Sequence, residues 1–489
     1  MGIDLRNEEN RRQYERSARL VLLLAMRDVA PEASVRFENS LGLGIYLRVT
    51  GTVLSATKVR MIENRMRELV ELDLPIIRFR WTREDAIAYF AERGQEDTVR
   101  LLGYRPYDYF DVYTCDGYSE YFYGSMVEST GQVDRFALRL YYPGMVLLLP
   151  GENGVLGELV ERPKLMRAYS ETKDWLHILN CENAADLNDV IRSGQGRQFI
   201  RVSEALHARA IAEIAERIAG QGARVVFVAG PSSSGKTTFA NRLAVELQVS
   251  GLHPVPISLD HYYRNREDIP IGADGKPDLE CLEAIDVPLF NDQLIALLEG
   301  ETVQVPEYSF LTKNREAGHE VHMNKGDVII VEGIHGLNPA LGMEVPSECK
   351  FRVYVSCLTA LNLDNHNRIR ATDVRLLRRM VRDKRTRGAE VKETMEMWDS
   401  VRAGEEKYIF PYQEMADVMF NTSLAYEIPM LKRYGYAMLK SIPKDSPHYV
   451  RSRRLVKFLN YFVDCKDEDE IPPTSILREF IGGCSFYDE

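Results

Sequence analysis

The chain has 489 residues, 45% of them hydrophobic, enough to bury a large core divided over two or three domains. A net charge of −11 and a pI near 5.5 argue against a partner held by bulk positive charge, whether nucleic acid or anionic membrane. No apolar run approaches a bilayer span, and LVLLLAM (20–26) is too short for one.

The opening MGIDLRNEENRRQYER is polar with no apolar signal core, and Leu5, Arg6 and Asn7 lack the Ser or Thr that a myristoylation signal wants. Seven cysteines, odd in number and without a CxxC pair, read as reduced thiols, so a cytoplasmic protein is expected. Residues 1–160 mix short alternating strands with helices, an α+β pattern. Thr82 to Asp85 reads as a capping box, and Gly94 as the stop of the helix that follows. Residues 161–222 read as a helical connector, whose stretch 196–222 has a helical period ending in Gly222. From 223 to 440 the rhythm becomes strand, loop, helix. RVVFVA (224–229), PVPISLD (254–260), DVIIVEG (327–333), FRVYVS (351–356) and ADVMFN (416–421) are strand candidates. Their alternation with helices predicts an α/β unit with a parallel sheet flanked by helices. Residues 441–489 form a polar, then acidic extension.

Between the first strand and its helix stands AGPSSSGKTTF, which fits GxxxxGK[ST]. Gly230 and Gly235 let backbone N–H groups turn inward, and the helix start adds partial positive charge. Gly230, Ser232, Ser233, Ser234, Gly235, Lys236, Thr237 and Thr238 are the expected phosphate cradle. Within it, Lys236 would reach the β/γ-phosphates and Thr237 would hold Mg²⁺. Such a loop serves kinases, GTPases and mechanical ATPases alike.

Downstream features narrow the choice. PVPISLD ends in Asp260, where an open sheet presents residues to its ligand crevice. A carboxylate there would accept a hydroxyl proton, although position alone fits an N-cap or turn aspartate as well. DVIIVE ends in Glu332, a magnesium-supporting acid or a simple rim carboxylate. The run VRLLRRMVRDKRTRG (374–388) is by default a solvated helix face or an RNA patch. Beside a phosphate loop in an acidic chain, a lid over the phosphates is the sharper reading, because guanidiniums suit a transferring phosphoryl group.

Taken in order, GPSSSGKTT, SLDHYY, VQVPEYSF, VIIVEGIHGL, LLRRMVRDKRTRG and ADVMFN make 224–421 resemble the uridine kinase and phosphoribulokinase group of P-loop kinases. The resemblance implies an ATP- and Mg²⁺-dependent enzyme that phosphorylates the 5′-hydroxyl of a nucleoside, with uridine the expected acceptor. It implies Asp260 as base, Glu332 near Mg²⁺, and Arg379, Arg382 and Arg387 in the lid. It also implies Tyr263, Glu280, Tyr308 and Phe310 around the nucleoside, with Glu280 on the ribose hydroxyls. The pattern departs at Lys313, which stands where such kinases usually carry a base-reading His, and near Ala389, where a lid arginine is missing. The stretch 358–373 is longer than usual, and its His366 and Arg368 are further substrate candidates, His366 equally fitting an ordinary polar loop residue.

Residues 73–102 and 121–138 are similar to the editing-type domain of threonyl-tRNA synthetases. Arg16, Leu20, Phe122 and Met126 fall where that family carries its functional His and Cys side chains, so hydrolytic editing is not expected. The combination resembles a bacterial class of two-part nucleoside kinases, and a homo-oligomer is expected. A kinase of another nucleoside or of a sugar phosphate is the alternative that Lys313 keeps open. An RNA-binding regulatory NTPase is a second, disfavoured by the acidity of the chain.

Overall fold

The computed structural model describes residues 3–272, 275–309, 312 and 314–487. In the front half, α1 (Glu8–Val29) starts at Asn7, whose side chain accepts from the Glu9 and Asn10 N–H groups. Then follow β1 (Ser34–Leu41), β2 (Gly44–Thr50), α2 (Ala56–Glu71), β3 (Ile77–Thr82), α3 (Arg83–Glu92), α4 (Glu96–Tyr104), β4 (Tyr109–Cys115), β5 (Tyr118–Tyr121), β6 (Ala137–Tyr141) and β7 (Gly144–Leu148). They form two antiparallel sheets, ordered β1-β2-β7-β6 and β3-β4-β5. Thr82 caps α3 through the Asp85 N–H, and Gly94 takes φ +69° behind it, so both ends of that helix match the sequence signals.

Three helices follow: α5 (Pro163–Ile178), α6 (Ala184–Arg192) and α7 (Gly196–Gln221). The last ends at Gly222 in the left-handed region, which frees the chain to turn into β8 (Val225–Ala229). The back half continues through α8 (Lys236–Val249), β9 (His253–Ser258), α9 (Val287–Glu299), the β10 (Thr302–Ser309) and β11 (Asn314–His322) hairpin, β12 (Asp327–Glu332) and β13 (Lys350–Ser356). Beyond these lie α10 (Ala371–Thr386), α11 (Val391–Gly404), β14 (Val418–Asn421), α12 (Glu427–Lys440), α13 (Tyr449–Leu459) and a last turn, α14 (Arg478–Ile481).

All five predicted strands join one parallel sheet in the order β14-β13-β8-β12-β9. Successive residues of a strand point to opposite faces, and here both faces are covered. Val226, Val228, Val328, Ile330, Val353 and Val355 pack with residues of α7 and α8, among them Ile211, Ile214, Ile218, Phe239 and Leu243. Val225, Phe227, Ile329 and Val331 pack with Phe290, Leu294 and Leu297 of α9 on the other side. α7 is therefore a layer of this sheet as well as a link into it. Among the described residues, no helix is long and apolar enough to cross a membrane.

The halves are tied together by the long stretch before α10 and by the first turn of α10 itself. Asn362 Nδ2 donates to Phe37 O at 2.8 Å, Asn367 Nδ2 to Tyr121 O at 2.9 Å, and Arg12 pairs with Asp373 at 2.9 Å. Arg16, Leu20, Phe122 and Met126 are all buried in the front half. Arg16 Nε donates to Ser125 O at 2.8 Å, while Leu20, Phe122 and Met126 share one hydrophobic cluster.

Candidate functional site

The connection after β8 is shaped by close backbone contacts. A Cβ on Gly230 would stand 2.0 Å from the carbonyl oxygen of Val355 in β13, so only glycine passes there. Ser233 (φ +57°) and Gly235 (φ +85°) take left-handed conformations that turn the loop back on itself before α8 begins. The loop is also held from beneath. Ser232 N–H donates to Glu405 Oε1 at 3.0 Å, Ser232 O accepts from Arg375 Nε at 2.9 Å, and Ser232 Oγ accepts from Arg379 Nη1 at 2.8 Å. Arg378 is wholly buried. Its Nε lies 2.6 Å from Glu427 Oε2, its Nη1 3.1 Å from Thr422 Oγ1, and its Nη2 2.9 Å from Thr422 O. Thr422 Oγ1 in turn donates to Ser234 O at 2.5 Å.

The arginine run therefore departs from its default reading. Most of α10 is buried, so it is not a solvated face. Arg375 and Arg378 are struts under the loop, because that face of α10 packs on the loop. Arg379 touches Ser232, whereas Arg382 and Arg387 are close enough to Asp260 to favour its ionised form.

Lys236 opens α8 with its Nζ 3.4 Å from Pro231 O and 3.9 Å from Glu332 Oε1. Glu332 ends β12 directly opposite Ser258, the last residue of β9, so parallel pairing brings the Asp260 turn and Glu332 to one sheet edge. Asp260 sits just beyond the strand, in a single turn over Leu259–Tyr262 capped by the Ser258 side chain. Burial pushes both carboxyls up. Lys236, His261, Arg387 and Arg382 oppose this at Asp260, while Lys236 and the Thr237 hydroxyl oppose it at Glu332.

On the side away from α8, the rings of Tyr263 and Tyr308 stand 5.4 Å apart, and Tyr263 Oη donates to Leu279 O at 2.9 Å. The neighbouring Glu280 carboxyl is pushed up to about 7, first by burial and then by the Glu405 carboxylate, against Arg379 and Lys236. Phe310 and Lys313, both assigned to this side by sequence, lie outside the described residues.

His366 and Arg368 are not gathered here. His366 Nδ1 is 2.8 Å from Glu120 Oε2 of the front half, and Arg368 pairs with Glu15 at 3.2 Å and donates to Ser40 Oγ at 2.7 Å. Their stretch is long because it forms the seam between the halves, and the substrate role expected for them finds no geometric support. Glu405 went unremarked in the sequence. It is completely buried in a π-helical segment, Glu405–Ile409, where it joins the loop to Arg375 and to Arg402 at 2.8 Å. Nothing in GEEKYIF signals that, since the role depends on which helix passes under the loop.

Among the described residues, no cluster of three or more His, Cys, Asp or Glu side chains could cage a metal ion. A threonine hydroxyl beside a carboxylate, Thr237 with Glu332, is nonetheless a hard oxygen pair suited to Mg²⁺ held jointly with substrate phosphates.

A phosphate loop on a five-stranded parallel sheet, with paired carboxylates at the strand ends and guanidiniums over them, is the site of a P-loop phosphotransferase. The model of the "Phosphoribulokinase / Uridine kinase family" matches residues 225–428. A uridine kinase of Deinococcus deserti is 30% identical over 196 residues, covering 40% of this chain and 86% of its own. A uridine kinase of Lactobacillus johnsonii is 29% identical over 196 residues, covering 40% and 84%. The chain belongs to the phosphoribulokinase/uridine kinase family, and its back half is a kinase domain.

Proposed function

We propose that this kinase transfers the γ-phosphoryl group of ATP to the 5′-hydroxyl of a nucleoside, with uridine the preferred acceptor. The observation that carries the reading is the pairing of Asp260 and Glu332 beside Lys236, with the Tyr263 and Tyr308 rings and Glu280 on the acceptor side. Relatives printed as uridine kinases support the acceptor class.

Asp260 accepts the proton of the attacking hydroxyl, for which it must be ionised. Lys236, Arg379, Arg382 and Arg387 offset charge on the transferring group, a task suited to groups already fixed by the fold. Thr237 and Glu332 would hold Mg²⁺, which when bound neutralises phosphate charge. The Tyr263 and Tyr308 rings give a nucleoside an apolar surface, and Glu280 accepts from ribose hydroxyls. In the front half we propose an editing-type fold whose chemistry has been replaced by packing, since Arg16, Leu20, Phe122 and Met126 are core residues.

Purified protein with ATP, Mg²⁺ and a panel of nucleosides and sugar phosphates tests the reading. Uridine is expected to give the highest kcat/KM, and a sugar phosphate as the only acceptor would refute it. Asp260→Asn should lower kcat by about 10²–10⁴-fold with ATP binding retained. Full turnover by this variant would remove Asp260 as the base.

A further inference from the structure

Residues beyond the family match reach the phosphate loop. Glu479, in α14, accepts through Oε2 from the Thr238 N–H at 3.4 Å and from the Thr238 hydroxyl at 2.9 Å. Its Oε1 lies 3.7 Å from Arg382 Nη1. The Tyr487 hydroxyl stands 3.0 Å from the same Thr238 Oγ1. A Cβ on Gly235 would meet Ile476 Cγ2 at 2.4 Å, so this segment lies directly on the loop.

The segment is firmly seated. Ile476, Leu477 and Phe480 are buried, the Arg378 guanidinium lies 4.9 Å from the Phe480 ring centre, and Ser475 Oγ donates to Glu204 at 2.6 Å. The Glu479 side chain is 11% exposed.

Thr238 is the third residue of α8, so its N–H has no partner within the helix. N–H groups of a first turn, with the helix dipole behind them, favour an anion. In this chain a carboxylate of its own is that anion.

We propose that Glu479 competes with the donor's phosphates for the first turn of α8 and thereby sets donor affinity. Donor binding requires the carboxylate to leave Thr238. The backbone of α14 stays in place, held by Ile476 and Phe480. The inference rests on the phosphate loop being the donor site.

The test is calorimetric titration of Mg²⁺ and a non-hydrolysable ATP analogue into the 489-residue chain and three variants. Glu479→Gln keeps the shape and removes the charge, and should bind about tenfold more tightly. Glu479→Asp keeps the charge but draws it back by one methylene, and should also tighten binding, less strongly. Unchanged or weaker binding in both variants overturns the proposal, because a side chain that only supports the fold would not yield a gain in affinity when altered. Lys236→Ala separates the two levels of the argument. If it binds as wild type does, the donor site itself is misplaced; if it loses binding while the Glu479 variants do not gain, only the competition fails.

Discussion

The strut beneath the phosphate loop gives the sharpest quantitative prediction. Arg378 has no solvent exposure and Glu427 has 1%, and they meet at 2.6 Å while Arg378 also serves both oxygens of Thr422. Replacing Arg378 by Met keeps the volume but strands a buried carboxylate and several acceptors, so a loss of about 3–5 kcal/mol is expected. That is a large share of a domain's net stability of roughly 5–15 kcal/mol. Glu427→Gln alone should cost less, because it keeps a hydrogen-bonding oxygen. The double variant should fall well short of the summed losses, with a coupling of about 1–3 kcal/mol. Urea unfolding followed by fluorescence measures this, since Trp398 lies 5.5 Å from the Arg375 guanidinium beside the same loop. Additive losses would show that the pair does not act as a unit and refute the reasoning. Arg378→Lys should recover only part of the loss, since a point charge cannot reach Glu427 and Thr422 together.

Three further outcomes are expected. Gly230→Ala places a methyl against a backbone carbonyl that cannot yield, and should abolish nucleotide binding by calorimetry even where circular dichroism is unchanged. The kcat/KM profile should fall on its acid side above the usual carboxylate range, because burial raises the Asp260 carboxyl and only its ionised form accepts the proton. A limb near pH 4 would contradict this. His366→Ala should leave the acceptor KM unchanged but loosen the seam between the halves. Burial opposes the charge of His366, yet Glu120 outweighs it and raises the imidazolium to about 9. A raised cationic group stabilises fully below its unfolded value of about 6.5 and loses that contribution as pH climbs to about 9. The wild-type advantage in Tm over His366→Ala should therefore shrink across that window.

The sheet was readable because each buried strand is a short apolar run between turn signals, and all five such runs became its strands. The phosphate loop was readable because its demands are local: glycine where no Cβ fits, lysine and threonine at the helix start. The carboxylates followed from strand ends, with one shift: β9 stops at Ser258, and Asp260 sits in the capped turn beyond it. The arginine run was only partly readable, because Arg375, Arg378, Arg382 and Arg387 look alike in sequence. Which of them become struts and which face Asp260 depends on how α10 lies against the loop.

Local chemistry in the sequence thus determined the phosphate loop, the strands and the identity of the acids beside them. Tertiary structure alone decided that His366 and Arg368 join the front half, that Glu405 supports the loop, and that Glu479 arrives on Thr238 from 241 residues away. A local motif fixes its own backbone through sterics and hydrogen bonds between near neighbours. A contact between distant segments exists only once their apolar faces have packed, and that packing sets which charged side chains are left facing one another.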